Sequence, residues 1–271
     1  MISRLSTLLI AALAALGQSA AAQAPRPSDL IEASIRPGWM TESGTHMAAL
    51  HLRIAQDWIT YWRHPGETGI VPRLDWAASG NLADVTIHWP EPQLFIKAGF
   101  NSIGYSDELV LPIELTPQTP GAPIRLDAML NIGVCDDICI PVDLALRSEL
   151  NGAGQHDPLI AQALSRKPAS SQQVGLREMR CDLTPAGRGV VLSVEMELPA
   201  TGRDEFMLVE LPGSGMRSRV LPSARNGSTI TGQLKLRPGD GQVPLIDRSA
   251  VQVSLISEGG TIRHQGCSVS N

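Results

Sequence analysis

"IRLDAMLNIGVCDDICIPVDLALRSEL", residues Ile124 to Leu150, keeps a period of two on both sides of a short polar break. Before the break, Leu126, Ala128, Leu130 and Ile132 share one face of an extended chain. After it, Val142, Leu144 and Leu146 share one. That alternation marks two strands, each with a single face on a core. Pro141 suits the entry to the second strand, where its missing N–H does least harm. The break itself, Cys135-Asp136-Asp137-Ile138-Cys139, has to fold sharply if its sulfurs are to meet. Residues four apart in an extended chain lie about 13 Å from each other, whereas a disulfide needs Cα atoms within about 7 Å.

The same short, turn-bounded alternation recurs outward from this stretch. "HMAALHLRI" (46–54) puts Leu50, Leu52 and Ile54 on one side, "DVTIHWPEP" (84–92) does so with Val85, Ile87 and Trp89, and "DELVLPIEL" (107–115) repeats the theme. "RHPGETGIVP" (63–72), with Pro65, Gly66, Gly69 and Pro72, reads as a loop by its turn chemistry. After Leu150 the composition changes. Residues 151–173 read as a linker with one short helix from Pro158 to Arg166, Asp157 as its N-cap and Pro158 at its first position. Strands then resume in "GVVLSVEMEL" (189–198), "EFMLVELP" (205–212), "STITGQLKLRP" (228–238) and "AVQVSLIS" (250–257). The expectation is an all-β chain of two sandwiches, residues 27–150 and 174–271, joined by that linker. Trp58, Trp62, Trp76 and Trp89 fall in the first and are expected mainly as core anchors.

Residues 1–22 have the layout of a secretory signal peptide: one positive charge, a short apolar run, then small residues in an A-x-A pattern with cleavage expected after Ala22. The run is too short to span about 30 Å of hydrocarbon. No later segment is long and apolar enough to do so, and the expectation is an exported, periplasmic protein without a membrane span once the signal is removed. A formal charge of -5 and the lack of a basic cluster argue against nucleic acid. No phosphate-cradling glycine motif and no G-x-S-x-G nucleophile motif is present.

Four cysteines in an exported chain invite disulfides. Cys181 opens the second half and Cys267 nearly closes it. A bond between them would remove roughly 4–5 kcal/mol of unfolded-state entropy, the signature of a structural staple. Such a bond also takes Cys267 away from any H-x-x-C metal site with His264. Cys135 and Cys139 close so short a loop that the same accounting gives only roughly 2 kcal/mol. Three readings stand for this pair: a small structural disulfide, a Cu(I) site using the two soft sulfurs, or a reversible redox couple. Asp136 and Asp137 disfavour a neighbouring thiolate unless a positive group compensates, which leans the couple towards electron donation. Cys139 is the favoured attacking sulfur, because it lies beyond both aspartates. No metal ligand set beyond the two sulfurs is visible, and no other cofactor is expected.

Residues 104–150, "GYSDELVLPIELTPQTPGAPIRLDAMLNIGVCDDICIPVDLALRSEL", resemble the N-terminal periplasmic domain of the transmembrane disulfide reductase DsbD. They look closer still to the corresponding domains of the copper-sensitivity suppressor ScsB proteins. "YWRHPGETGIVPRLDW" (61–76) and "IHWPEPQLF" (87–95), with their Trp-Arg-x-Pro-Gly and Trp-Pro-x-Pro stretches, look like the same branch. The resemblance implies immunoglobulin-like sandwiches and a cysteine pair, here Cys135 and Cys139, that shuttles between disulfide and dithiol. It implies electrons received from a membrane-embedded disulfide reductase and passed to periplasmic thioredoxin-like or thiol proteins. It also implies a cap loop with an aromatic shield. "KAGFNSIGY" (97–105) occupies that place, with Phe100 as the shield and Tyr105 beside it. The C-x-x-x-C spacing is shorter than the DsbD domain's, and the alternative function is a periplasmic copper-binding or copper-tolerance protein using the same sulfurs.

Overall fold

The structure is a computed structural model that describes residues 26–97, 99–239 and 245–269. The expected signal peptide, residues 1–22, lies outside the described residues. After one helical turn, α1 (Pro27–Leu30), ten strands follow in the first half. They are β1 (Ile31–Met40), β2 (His46–Ile54), β3 (Ile59–Gly66), β4 (Arg73–Asp75), β5 (Leu82–Ile87), β6 (Gln93–Lys97), β7 (Phe100–Ser106), β8 (Glu108–Pro117), β9 (Ile124–Cys135) and β10 (Cys139–Leu150). They form two facing sheets, one ordered β1-β2-β8-β5 and the other β10-β9-β3-β7-β6 with β4 paired to β9. The inward positions of β9, Leu126, Ala128, Leu130 and Ile132, are all buried in the shared core with Leu50, Leu52 and Ile54 of β2.

The helix α2 (Pro158–Ser165) ends one residue short of the expected span and is capped by Asp157, whose carboxylate accepts from the N–H groups of Leu159 and Ile160. It does not hang free between domains. Ile160 is fully buried against Met47 and Ala49, on the face of β2 turned away from the core. That explains why β2 is buried on both faces and not on alternate positions alone. The stretch expected as a loop from Arg63 also differs. β3 runs on through Gly66, with a register shift against β7 between Tyr61 and Gly66 that accommodates Pro65.

The second sandwich contains β11 (Ala169–Ser170), β12 (Glu178–Ala186), β13 (Gly189–Glu197), β14 (Phe206–Glu210), β15 (Arg217–Asn226), β16 (Thr229–Arg237), β17 (Gln252–Ser257), β18 (Gly260–Gln265) and β19 (Ser268–Val269). Its sheets are ordered β11-β18-β17-β14 and β15-β16-β13-β12-β19. β14 has apolar residues on both faces. Met207 and Val209 join the second core, while Phe206 and Leu208 join the first, together with Ile256 of β17. A strand that is apolar all round must be covered on both sides. Here the first sandwich supplies the second cover. The Arg63 guanidinium lies over the Trp62 ring, 4.3 Å from its centre, and grips the Glu210 carboxylate through two hydrogen bonds of 2.6 Å. Glu91 of the first sandwich accepts a hydrogen bond from the Thr261 N–H of the second.

Candidate redox site

Cys135 ends β9 and Cys139 begins β10, directly opposite each other with Cα atoms 4.1 Å apart and a disulfide between them. The Asp136 N–H donates to the Ile138 carbonyl at 3.0 Å, closing the turn that brings the sulfurs together. The two cysteines have opposite environments. Cys135 is buried, with Ile59 of β3 paired beside it, whereas Cys139 is exposed on the edge strand of its sheet. A thiol arriving from solvent therefore reaches one sulfur of the pair and not the other.

The aromatic group that touches the exposed sulfur is Tyr61. Its hydroxyl lies 3.4 Å from the Cys139 Sγ, and since a disulfide sulfur can only accept, the phenol donates. Burial pushes the Tyr61 pKa up, against a hydrogen bond with Ser102 that pulls it down, so the proton stays on the ring oxygen at neutral pH. Ser102 in turn meets the Thr68 hydroxyl at 2.8 Å. The loop after β3 closes over this ring at Gly69. Its φ is +112°, and a Cβ there would sit 2.4 Å from the Tyr61 ring, so a side chain has neither the backbone conformation nor the space.

The two aspartates are not left to act on the sulfurs alone. Lys97, the last residue of β6, reaches Asp136 at 2.5 Å and Asp137 at 2.8 Å. Its hydrogen bonds to Asp136 and then Asp137 raise the lysine pKa, and the same bond to Lys97 lowers that of Asp136. Lys97 pairs across the β6–β7 turn with Phe100, so the expected cap stretch is tied to the redox loop by its charge. Phe100 itself is 53% exposed. Tyr105 is turned into the first core and donates its hydroxyl to the Pro90 carbonyl at 2.9 Å; burial pushes its pKa well up. The structure thus places the Tyr61 hydroxyl on the sulfur and Tyr105 in the core. Its alternation along β7 turns it towards the sandwich interior.

Cys181 and Cys267 are bonded, with Cα atoms 5.8 Å apart across 86 residues. Cys181 is fully buried beside the second core. His264, next to this pair, hydrogen-bonds Ser171 through Nδ1 at 2.6 Å.

Tyr61 and Lys97 escaped sequence reasoning because their contacts cross 78 and 39 residues of chain. Lys97 could have been found as the sole cation of the stretch that also holds the expected shield.

Residues 30–149 match the family described as the thiol:disulfide interchange protein DsbD, N-terminal. The crystal structure of the N-terminal periplasmic domain of ScsB from Proteus mirabilis is similar over 88% of this chain and 92% of its own. The TM-score is 0.59 and the sequence identity 23%, which shows a shared fold. No curated protein matches the chain.

Proposed function

With a first sandwich of the DsbD N-terminal type as the premise, we propose that the protein is a periplasmic thiol–disulfide exchange protein working through Cys135 and Cys139. The observation that carries this is the asymmetry of the pair: a strand-end disulfide with one buried and one exposed sulfur, in a loop too short to be a strong staple. In the reducing direction, the thiolate of a donor attacks the Cys139 Sγ and the bond to Cys135 breaks. The electron pair leaves on the Cys135 sulfur, which takes up a proton. A second donor thiolate then releases the mixed disulfide and leaves the dithiol. In the delivering direction, the Cys139 thiolate attacks an acceptor disulfide, and Cys135 resolves the mixed disulfide that results. Tyr61 donates to the Cys139 sulfur and stabilises it most when it carries charge. The donor is a membrane-embedded disulfide reductase and the acceptors are periplasmic thioredoxin-like or thiol proteins. Among the described residues no helix is long and apolar enough to cross a membrane.

Differential alkylation with mass spectrometry across a glutathione redox series tests this. Cys135–Cys139 should reduce reversibly while Cys181–Cys267 stays oxidised, and equal resistance of both pairs would refute the reading. The copper alternative requires tight Cu(I) binding that Cys135→Ser abolishes, measured by competition with a Cu(I) chelator.

A further inference from the structure

The exposed Cys139 sulfur sits among carboxylates that outnumber their cation and among uncovered apolar side chains. On the exchange reading of the cysteine pair, we propose that this setting selects its protein partners. The favoured partner presents its reacting cysteine between cationic and apolar residues, and one with acidic flanks is turned away.

The negative charge begins in the turn. Asp136 and Asp137 lie inside the short ring that the disulfide closes, between Cα atoms 4.1 Å apart, so neither can leave the neighbourhood of Cys139. Lys97 meets them at 2.5 Å and 2.8 Å and cancels one charge of the two. Asp137 is still 83% exposed with the lysine in place, open to an arriving molecule. Glu67 adds a carboxylate, held at 2.9 Å and 2.7 Å by the backbone and side-chain N–H groups of Asn101, the residue after Phe100. Asp57 is exposed two residues before Ile59, the neighbour of Cys135 across the sheet. Further along, Arg73 and Asp143 flank Asn131, one of each sign, and offset each other. An attacking thiolate is itself an anion, so a partner that brings cations eases its approach and one that brings more anions hinders it.

The apolar groups gather at the same place. Among the described residues, the large apolar side chains left exposed are Val71, Ile96, Phe100, Met129, Ile138 and Leu245. Four of these six belong to segments that touch the redox turn. Ile138 is part of it. Ile96 precedes Lys97 and Phe100 pairs with it. Val71 follows Ile70, whose side chain lies over Gly133 of β9. Exposed apolar side chains collected on one surface mark a contact surface for another protein.

Two synthetic thiol peptides test this on the full oxidised chain, acetyl-Lys-Cys-Leu-Lys-amide and acetyl-Glu-Cys-Leu-Glu-amide. A peptide thiolate bonds to the Cys139 Sγ as the Cys135–Cys139 bond breaks, with the electron pair leaving on Cys135. A second peptide thiolate then frees the dithiol and departs as peptide disulfide. Second-order rates are read by alkylation and mass spectrometry and referred to each peptide's thiolate fraction. At about 10 mM salt the lysine peptide should react roughly fivefold faster, and the gap should narrow at about 0.5 M. The lower thiol pKa of that peptide makes its thiolate the weaker nucleophile, a bias against the expected result. Asp136→Asn combined with Asp137→Asn should erase the gap and Lys97→Met should widen it, whereas simple damage to the turn would move both the same way. Replacing the peptide leucine by serine should slow the reaction about twofold, and Ile138→Ser should remove that difference. Equal rates, a gap indifferent to salt, variants that move it in one direction, or no loss with serine overturns this proposal alone. No cleavage by either peptide overturns the exchange reading together with it.

Discussion

Tyr61 and the Cys139 sulfur meet through one hydroxyl, and removing it should alter chemistry more than folding. Tyr61→Phe keeps the ring against Gly69 and loses the donor. A hydrogen bond to a sulfur that becomes charged on reduction is worth about 1 kcal/mol, a shift of roughly fivefold in the glutathione equilibrium towards the disulfide. Quantifying the reduced fraction by alkylation checks this, with an unchanged circular dichroism spectrum as control. Gly69→Ala should do worse, because the backbone strain alone costs roughly 1–3 kcal/mol and the clash displaces the ring; a lower melting temperature and a matching loss of the redox shift are expected. The sharp fold between Cys135 and Cys139 was legible from their spacing, since a four-residue separation permits few geometries, whereas the redox reading of the pair came from the family resemblance. Tyr61 was not, because nothing local marks which of the alternating residues of β3 will end beneath a turn 78 positions away.

Between elements, the tie from β6 to the redox loop is electrostatic and solvent-exposed, with Lys97 itself 55% exposed. Salt should screen it, and its effect should show on the thiol and not on stability. In a Cys135→Ser background, Lys97→Met leaves two uncompensated carboxylates beside Cys139. The thiol pKa should rise and alkylation at pH 7 slow roughly three- to tenfold, while Lys97→Arg restores the rate. A pH profile of iodoacetamide reaction reads this directly. The sign for acid follows from Asp136, whose folded pKa is lowered by Lys97. The tie is fully present above the ordinary carboxylate pKa and is lost only as pH falls through the lower folded value. Period-two patterning located β2, β5, β8, β9 and β10 of the first sandwich and β13, β14, β16 and β17 of the second, and the capping chemistry of Asp157 located α2. The same patterning misjudged Arg63–Gly66. Proline and glycine there punctuate a turn in isolation, but pairing with β7 carries the strand through them with a bulge.

For the molecule as a whole, stability rests on the second disulfide and on the seam between sandwiches. Replacing Cys181 and Cys267 together by serine should remove about 4–5 kcal/mol in the chain-entropy account, most of the stability of a domain this size; calorimetry should show the second sandwich melting first. Acid should act through two histidines. Burial lowers the pKa of both His64 and His264; at His64 Glu210 opposes the shift and Arg63 adds to it. Each is harder to protonate in the folded state, so stability is complete above the unfolded value near about 6.5 and declines as pH falls below it towards the folded values. Melting temperature should drop between pH 7.5 and 5, and less so in His64→Gln; the pH range is chosen to bracket roughly that histidine value.

β14 has a consequence for anyone who divides the chain. Because Phe206 and Leu208 are sealed by the first sandwich while Met207 and Val209 face the second core, a cut in the linker yields a second half with a bare, greasy strand. The first half keeps the complementary scar around Trp62. Each piece, produced separately, should precipitate or pair promiscuously, whereas co-production should return a soluble nicked complex. The two sandwiches are one unit of inheritance: a recombination that swaps either one must carry the other's seam with it.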